Sequence, residues 1–203
     1  MSDTYLTIAS PSEGTYTEKR SKFLAFAFPV TSVDDVKAIV ANHRKRYYDA
    51  RHVCYAYMLG HRREVFRSND DGEPSGTAGK PILGQINSHG LTNILVIVVR
   101  YFGGVKLGTS GLIQAYKAAA IDCLDAAAIV EMFVEERIDI CFDYQQMNAV
   151  MRIVKEEQPA ILTQHFENRC TMLLSIRASL MPRLCERLSK VDGLQVLTIN
   201  PAS

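Results

Sequence analysis

The sequence predicts an α+β fold made of two α/β-sandwich domains. The first domain, residues 1–132, interleaves strand and helix patterns and contains the longest uninterrupted aliphatic run, Ile94–Val99. The second domain, residues 133–203, has the order βαββαβ, which is that of a ferredoxin-like module. The chain of 203 residues, of which 47% are hydrophobic, is long enough to build two small cores.

Hydrophobic periodicity defines the elements of the first domain. A helix is predicted after Val30, because Ser32 and Asp35 have the spacing of a capping box and are followed by apolar residues three and four apart. The predicted elements are strands near Tyr5–Ala9 and at Lys22–Val30, a helix from Ser32 to about Tyr47, a hairpin of HVCYAYML and EVFRS joined by GHRR, the strand Ile94–Val99, and a helix from about Leu107 to Ala128.

The second domain follows without a low-complexity linker, and we expect the boundary between residues 128 and 135. Its first helix places Met147, Val150, Met151 and Val154 on one stripe, which predicts a face packed on a sheet. The predicted elements are the strand Val130–Phe142, the helix Tyr144–Glu157, the strands Ile161–Phe166 and Thr171–Ile176, the helix Pro182–Lys190 and the strand Leu194–Ile199.

Composition and charge exclude several classes of protein. The formal net charge of +1 provides no overall basic field for nucleic acid or membranes, so a charged partner must be met by a local patch. Five cysteines without a C-x-x-C pair argue against a disulfide framework and against a thiolate zinc site. The N-terminus MSDTYLTIAS does not resemble a signal peptide, and we expect a cytoplasmic protein without a membrane partner.

The stretch RYFGGVKLGTSG follows the aliphatic strand and precedes a helix. Glycines at such a junction allow backbone N–H groups at the helix start to converge on an anion, with Thr109 or Ser110 as the expected N-cap. The alternative is a tight turn with glycines for packing, and the Walker A pattern fails because Thr109 stands where its lysine is required. The predicted phosphate-contacting residues are Arg100, Gly103, Gly104, Lys106, Gly108, Thr109, Ser110 and Gly111.

A second loop, SNDDGEPSGTAGKP, is rich in acids and small hydroxyl side chains and also opens a helix. Its carboxylates are candidates for a divalent cation or for acid–base catalysis, but their spacing is not that of a calcium loop, and the same letters also fit a surface turn. We expect this loop to form the rim of the same cleft, through Asp70, Asp71, Glu73, Ser75, Gly76 and Thr77.

Basic residues interleaved with aromatic residues form a third pattern. Such a patch suits contacts to phosphates and stacked bases, although charge runs are often only solvated faces. Its cations are Arg44, Lys45, Arg46, Arg51, Arg62, Arg63 and Arg67. Nearby, His52 and Cys54 share one face of a strand, and a structural role in the core is favoured over a Cys–His nucleophilic pair.

The two glycine-rich loops together, SNDDGEPSGTAGKPIL and VVRYFGGVKLGTSGLIQAY, resemble the signature of the YigZ/IMPACT family. The resemblance extends over the whole chain to the bacterial two-domain members. It implies an N-terminal βαβ domain like the second domain of a small-subunit ribosomal protein, and a ferredoxin-like C-terminal domain. Eukaryotic members regulate translation through a separate N-terminal domain that we do not expect in this chain, and for the bacterial members the resemblance suggests binding related to nucleic acid or the ribosome.

The expected function is therefore that of a translation-associated regulator that binds RNA or the ribosome through a glycine-rich basic cleft, without catalysis, cofactor or metal. LGTSG, residues 107–111, is also similar to the phosphate loop of GHMP kinases. The alternatives are thus a phosphate-ester or nucleotide enzyme, in which Asp70 or Asp71 holds magnesium, and an adaptor for a protein partner in translation.

Overall fold

The computed structural model describes residues 3–201. The strands of this described part are β1 (Thr4–Ile8), β2 (Ser12–Glu18), β3 (Ser21–Pro29), β4 (His52–Leu59), β5 (Val65–Asn69), β6 (Ile94–Tyr101), β7 (Ile129–Phe133), β8 (Glu135–Asp143), β9 (Ala160–His165), β10 (Arg169–Arg177) and β11 (Gln195–Pro201). The α-helices are α1 (Val33–Arg46), α2 (Gly79–Ser88), α3 (Gly108–Asp125), α4 (Met147–Glu157) and α5 (Met181–Leu188). None of the helices within residues 3–201 is long and apolar enough to cross a membrane.

The chain divides into two compact units, and the first comprises Tyr5–Met132. Its main sheet has the strand order β2-β3-β6-β4-β5, and every neighbouring pair is antiparallel. Because β6 lies between β3 and β4 and runs opposite to both, β3–α1–β4 is a split βαβ unit. The α+β prediction is thus confirmed for this unit.

Helices cover both faces of this sheet, which explains why β6 is hydrophobic at successive positions. Alternate residues of a strand point to opposite faces. Ile94, Val96 and Val98 pack with α2 and α3, whereas Leu95, Ile97 and Val99 pack with α1. A strand buried on both faces needs no polar alternation.

The second unit comprises the other described residues, 3–4 and 133–201. Its antiparallel sheet has the order β11-β8-β10-β9, and α4 and α5 supply the helical side of one core. Ile138, Ile140 and Phe142 of β8 lie in that core with Val150 of α4 and Leu184 of α5. The element order and the strand order together are those of the predicted ferredoxin-like module.

Local signals predicted some element boundaries correctly and others wrongly. Ser32 caps α1, and Asp35 completes the predicted capping box. The predicted cap of α3 at Thr109 or Ser110 is wrong, because the N-cap is Leu107. The predicted strand Val130–Phe142 is in fact two strands, since β7 pairs with β1 and β8 with β10 and β11.

Strand β2 was not predicted, and a glycine explains how it packs. A Cβ on Gly14 would lie 2.3 Å from the backbone nitrogen of Cys123 in α3. The absence of a side chain therefore lets the edge strand lie directly against the helix backbone. The sequence SEGTYTE lacks the hydrophobic alternation that usually indicates a strand.

Gly14→Ala is expected to reduce the free energy of unfolding by about 1–3 kcal/mol, because the new methyl group overlaps the α3 backbone. Gly84→Ala is the matched control, since a Cβ there meets nothing within 4 Å and Gly84 lies inside α2. It should stabilise the protein by about 0.5–1 kcal/mol. Urea denaturation followed by circular dichroism measures both changes, and equal effects of the two substitutions would contradict this packing.

Candidate phosphate-binding cleft

A cleft of about 920 Å³ lies in the first unit where β6 ends and α3 begins. Residues from both glycine-rich loops line it, together with the segment that leads into β4. The lining residues are Asp49, Ala50, Arg51, His52, Glu73, Pro74, Arg100, Tyr101, Phe102, Lys106, Leu107, Gly108, Thr109 and Leu112. The fold therefore brings together two motifs that are separate in the sequence.

A buried ion pair joins the two motifs at the bottom of the cleft. Arg100 Nη1 donates a hydrogen bond of 2.6 Å to Glu73 Oε1, and the side chains are only 7% and 3% exposed. Even-numbered residues of β6 face α2 and α3, so Arg100 continues the row of Ile94, Val96 and Val98. A charge on that face requires a partner, and the acidic loop supplies it.

Tyr116 and His52 complete the surroundings of Glu73. Tyr116 Oη donates to the same Glu73 oxygen at 2.9 Å, and burial raises the pKa of this phenol above its ordinary value, so it remains a donor. His52 Nδ1 lies 2.8 Å from the Asp71 carbonyl oxygen, which can only accept, so Nδ1 donates this hydrogen bond. The other ring nitrogen, Nε2, lies 3.7 Å from Glu73 Oε1.

Cys54 belongs to the core beneath this network. Its Sγ lies 3.0 Å from the Asp70 carbonyl oxygen and 3.3 Å from Tyr116 Oη. Burial raises the pKa of the Cys54 thiol far above its ordinary value. The thiol therefore stays protonated, which agrees with the structural role expected from the sequence rather than with a nucleophile.

Asp70 stabilises the acidic loop by accepting hydrogen bonds from its backbone. Its carboxylate accepts backbone hydrogen bonds from Gly76 at 2.8 Å, Ala78 at 3.1 Å and Gly79 at 2.8 Å. Burial by itself would raise the pKa of Asp70, but these hydrogen bonds, together with the charge of Lys80, lower it below its ordinary value. Asp70 is thus an internal anion at the start of α2.

Asp71 has protein partners as well. Its Oδ1 accepts from Arg44 Nη2 at 2.6 Å and its Oδ2 from the Val53 backbone at 2.7 Å. Among residues 3–201, no three His, Cys, Asp or Glu side chains form a group suited to a metal ion. The two aspartates considered for magnesium brace the loop through their hydrogen bonds to the protein.

The start of α3 differs from that of α2. Within the described chain, no side chain caps α3 by a hydrogen bond, and its first turn contains no acidic residue. Gly108 has a positive φ of 74°, and a Cβ there would meet nothing within 4 Å. Lys106, Gly108 and Thr109 line the cleft at this open helix start, where N–H groups and the helix dipole favour an anion.

The remaining predicted residues of this loop lie elsewhere. A Cβ on Gly103 would come within 2.1 Å of the Arg20 backbone, so this glycine serves packing between chain segments. Gly104 provides a turn with a φ of 88°. Ser110 and Gly111 line a separate, smaller pocket with Tyr16, Glu18 and Lys19.

The acidic loop reaches the cleft through Glu73 and Pro74 rather than through its whole length. Thr77 is buried and donates to the Pro74 carbonyl oxygen, whereas Ser75 is exposed. Gly76 supplies a positive φ of 76°. Ser75, Gly76 and Thr77 therefore shape the loop without lining the cleft.

The structure divides the predicted basic patch. Arg51 lies before β4 and lines the cleft, and Arg44 is close by through its pairing with Asp71. Arg62 and Arg63 lie in the turn at the opposite end of β4, so one ligand site does not combine them with Arg51. Arg46 (its guanidinium over the Tyr47 ring) and Arg67 of β5 are exposed, and neither lines the cleft.

The sequence did not indicate several lining residues. Phe102 is 51% exposed at the cleft, and its neighbour Tyr101 donates to Asp49 Oδ1 at 2.9 Å. Leu107 and Leu112 add an apolar wall. Tyr101 and Phe102 lie inside the RYFGG stretch and had a usable signal, since both are aromatic residues between an arginine and two glycines.

Comparisons with known proteins support the family resemblance that the two glycine-rich loops indicate. A family model described as the Impact N-terminal domain matches residues 19–124, more than half of the chain. The IMPACT family member of Haemophilus influenzae is 34% identical over 161 residues, which cover 78% of each chain. The chain belongs to the IMPACT family.

Other IMPACT proteins match nearly the whole chain. The Bacillus subtilis member YvyE is 30% identical and covers 82% of this chain and 76% of its own length. The Escherichia coli member YigZ is 29% identical and covers 89% and 91%. A crystal structure of a hypothetical protein matches 98% of both chains at 27% identity, with a TM-score of 0.78. The likeness thus extends over both units of this IMPACT protein.

Asp70→Asn should destabilise the protein at neutral pH by about 1–3 kcal/mol, because one amide oxygen cannot accept all three backbone hydrogen bonds. The lowered pKa of Asp70 stabilises the fold above the unfolded-state value of about 3.9, and this contribution disappears as the pH falls through the folded-state pKa. The stability difference between the wild type and the variant should therefore narrow in acid.

Urea denaturation at a series of pH values measures this difference. Glu13→Gln is the control, since Glu13 is an exposed carboxylate on β2, and it should change stability by less than about 0.5 kcal/mol. A difference between wild type and Asp70→Asn that stays constant from neutral to strongly acidic pH would contradict the assignment.

Proposed function

We propose that this IMPACT protein binds the phosphates of RNA through the cleft and acts as an RNA- or ribosome-associated regulator of translation. The observation that carries the proposal is the open start of α3, which lines a cleft together with Arg51, Arg100 and Lys106. Backbone N–H groups at a helix start and nearby cations are a common combination for binding phosphate.

The charge of the cleft favours an anion although the whole chain is almost neutral. Three cations, Arg51, Arg100 and Lys106, line it against two carboxylates, Asp49 and Glu73, which leaves a local charge of 3 − 2 = +1 without counting His52. Glu73 is hydrogen bonded inside the protein. The exposed charges at the mouth are therefore two cations and Asp49.

Exposed aromatic rings near the mouth favour RNA over a simple anion. Phe102 lines the cleft with half of its surface exposed, and Tyr48, next to Asp49, is 86% exposed. Unpaired bases stack on such rings in proteins that bind single strands. The magnesium-dependent alternative is less well supported, because Asp70 and Asp71 already accept hydrogen bonds from the protein.

Lys106→Gln should weaken the binding of a short single-stranded RNA and reduce its dependence on salt. Each phosphate contact to a single strand contributes about 0.7 to the slope of log K against log salt, so the slope should become shallower by about that amount. Fluorescence anisotropy of a labelled RNA between about 50 and 200 mM salt measures both quantities.

Lys117→Gln provides the matched control, because Lys117 is exposed on α3 and does not line the cleft. This variant should bind RNA like the wild type. The absence of RNA binding at low salt, or equal losses in the two variants, would refute the proposed function. Thermal unfolding of each variant verifies that the fold is retained.

A further inference from the structure

The cleft has a buried floor and an exposed mouth. Glu73, Arg100 and Leu112 are buried lining residues, whereas Phe102 and Lys106 are exposed. A ligand group that contacts Arg100 must therefore enter the cleft, and one that stays at the mouth meets mainly Lys106 and the start of α3. A volume of about 920 Å³ is large enough for a nucleotide-sized ligand.

Arg100 lies at the floor of the cleft, next to two aromatic rings and the Glu73 carboxylate. Its guanidinium carbon lies 5.6 Å from the centre of the Phe23 ring and 5.8 Å from that of Phe102. Glu73 accepts from Nη1, while the buried Nε has no hydrogen-bond partner among the described residues. This Nε has almost no accessible surface, so an acceptor from outside has to approach the small part of the Arg100 side chain, 7% exposed, that lines the cleft.

The chemistry of the phosphate decides which kind of phosphate group can reach Arg100 at the floor. A phosphodiester inside a strand continues through two of its oxygens, so the strand has to pass along the mouth. A terminal monoester continues through one oxygen, has three free acceptor oxygens and carries a charge of about −1.5 to −2 at neutral pH. Such a group can accept from Arg100, the α3 amides and Lys106 together.

We propose that the cleft recognises a terminal phosphate monoester on a nucleotide, either at the 5′ end of an RNA or on a free nucleoside monophosphate. The phosphate lies between Arg100 and the start of α3, and the base lies against Phe102 and the apolar wall of Leu107 and Leu112. This inference rests on the proposed function, because both require that the cleft binds phosphate. It adds that the bound phosphate is a terminal one.

The first arm of the test compares two RNAs of one sequence, labelled at the 3′ end, with either a 5′-monophosphate or a 5′-hydroxyl. Binding to the full chain is measured by fluorescence anisotropy. Charge-assisted hydrogen bonds are stronger than neutral ones, so the phosphorylated RNA should bind about tenfold more tightly or better. The second arm titrates adenosine monophosphate and adenosine by calorimetry.

Two substitutions in α3 test whether the preference for the phosphorylated RNA depends on the cleft. Thr109→Glu places a carboxylate in the first turn at the cleft, where the helix dipole tolerates it but a phosphate is repelled. This variant should lose the preference and remain folded. Gln114→Glu adds the same charge on the same helix outside the cleft, and it should retain the preference.

Each outcome supports or overturns the inference. A preference for the phosphorylated RNA identifies an RNA end as the ligand, and binding of adenosine monophosphate without that preference identifies a free nucleotide. Equal binding of both RNAs with no binding of adenosine monophosphate overturns the inference but leaves the proposed RNA binding intact. Binding of adenosine monophosphate without any RNA binding overturns the proposed function instead.

Discussion

The cleft depends on the buried ion pair between Arg100 and Glu73. This pair links the end of β6 to the acidic loop, and Tyr116 of α3 adds a hydrogen bond to the same carboxylate oxygen. Removing one member of a buried pair leaves an uncompensated charge and typically costs about 3–5 kcal/mol. The end of β6, the acidic loop and α3 therefore hold one another at the site.

The two glycine-rich loops have different tasks around this pair. The acidic loop is filled by its own carboxylates, since Asp70 satisfies the backbone at the start of α2 and Asp71 accepts from Val53 and Arg44. The loop before α3 has no such internal anion within the described chain. The first loop is thus a rigid support, and the second is where an external anion is favoured.

Much of the fold could be predicted from the sequence, because the capping signals and hydrophobic patterns match the helices, strands and buried faces that the structure contains. The sequence predicted the capping box at Ser32 and Asp35. It also predicted the doubly buried strand β6 and the βαββαβ order of the second unit. Strand β2 could not be predicted, because its sequence has no hydrophobic alternation. It is stabilised instead by pairing with β3 and by contact with α3 at Gly14.

The sequence by itself determined which residue types surround the candidate site: glycines at a helix start, cations beside them and an acidic loop. Only the tertiary structure decided what each of them does. It paired Arg100 with Glu73, gave Gly103 a packing role, and separated Arg62 and Arg63 from Arg51 by the length of β4. The reason is that charge pairing and close backbone contact join residues far apart in the chain, and spacing along a sequence carries no information about such contacts.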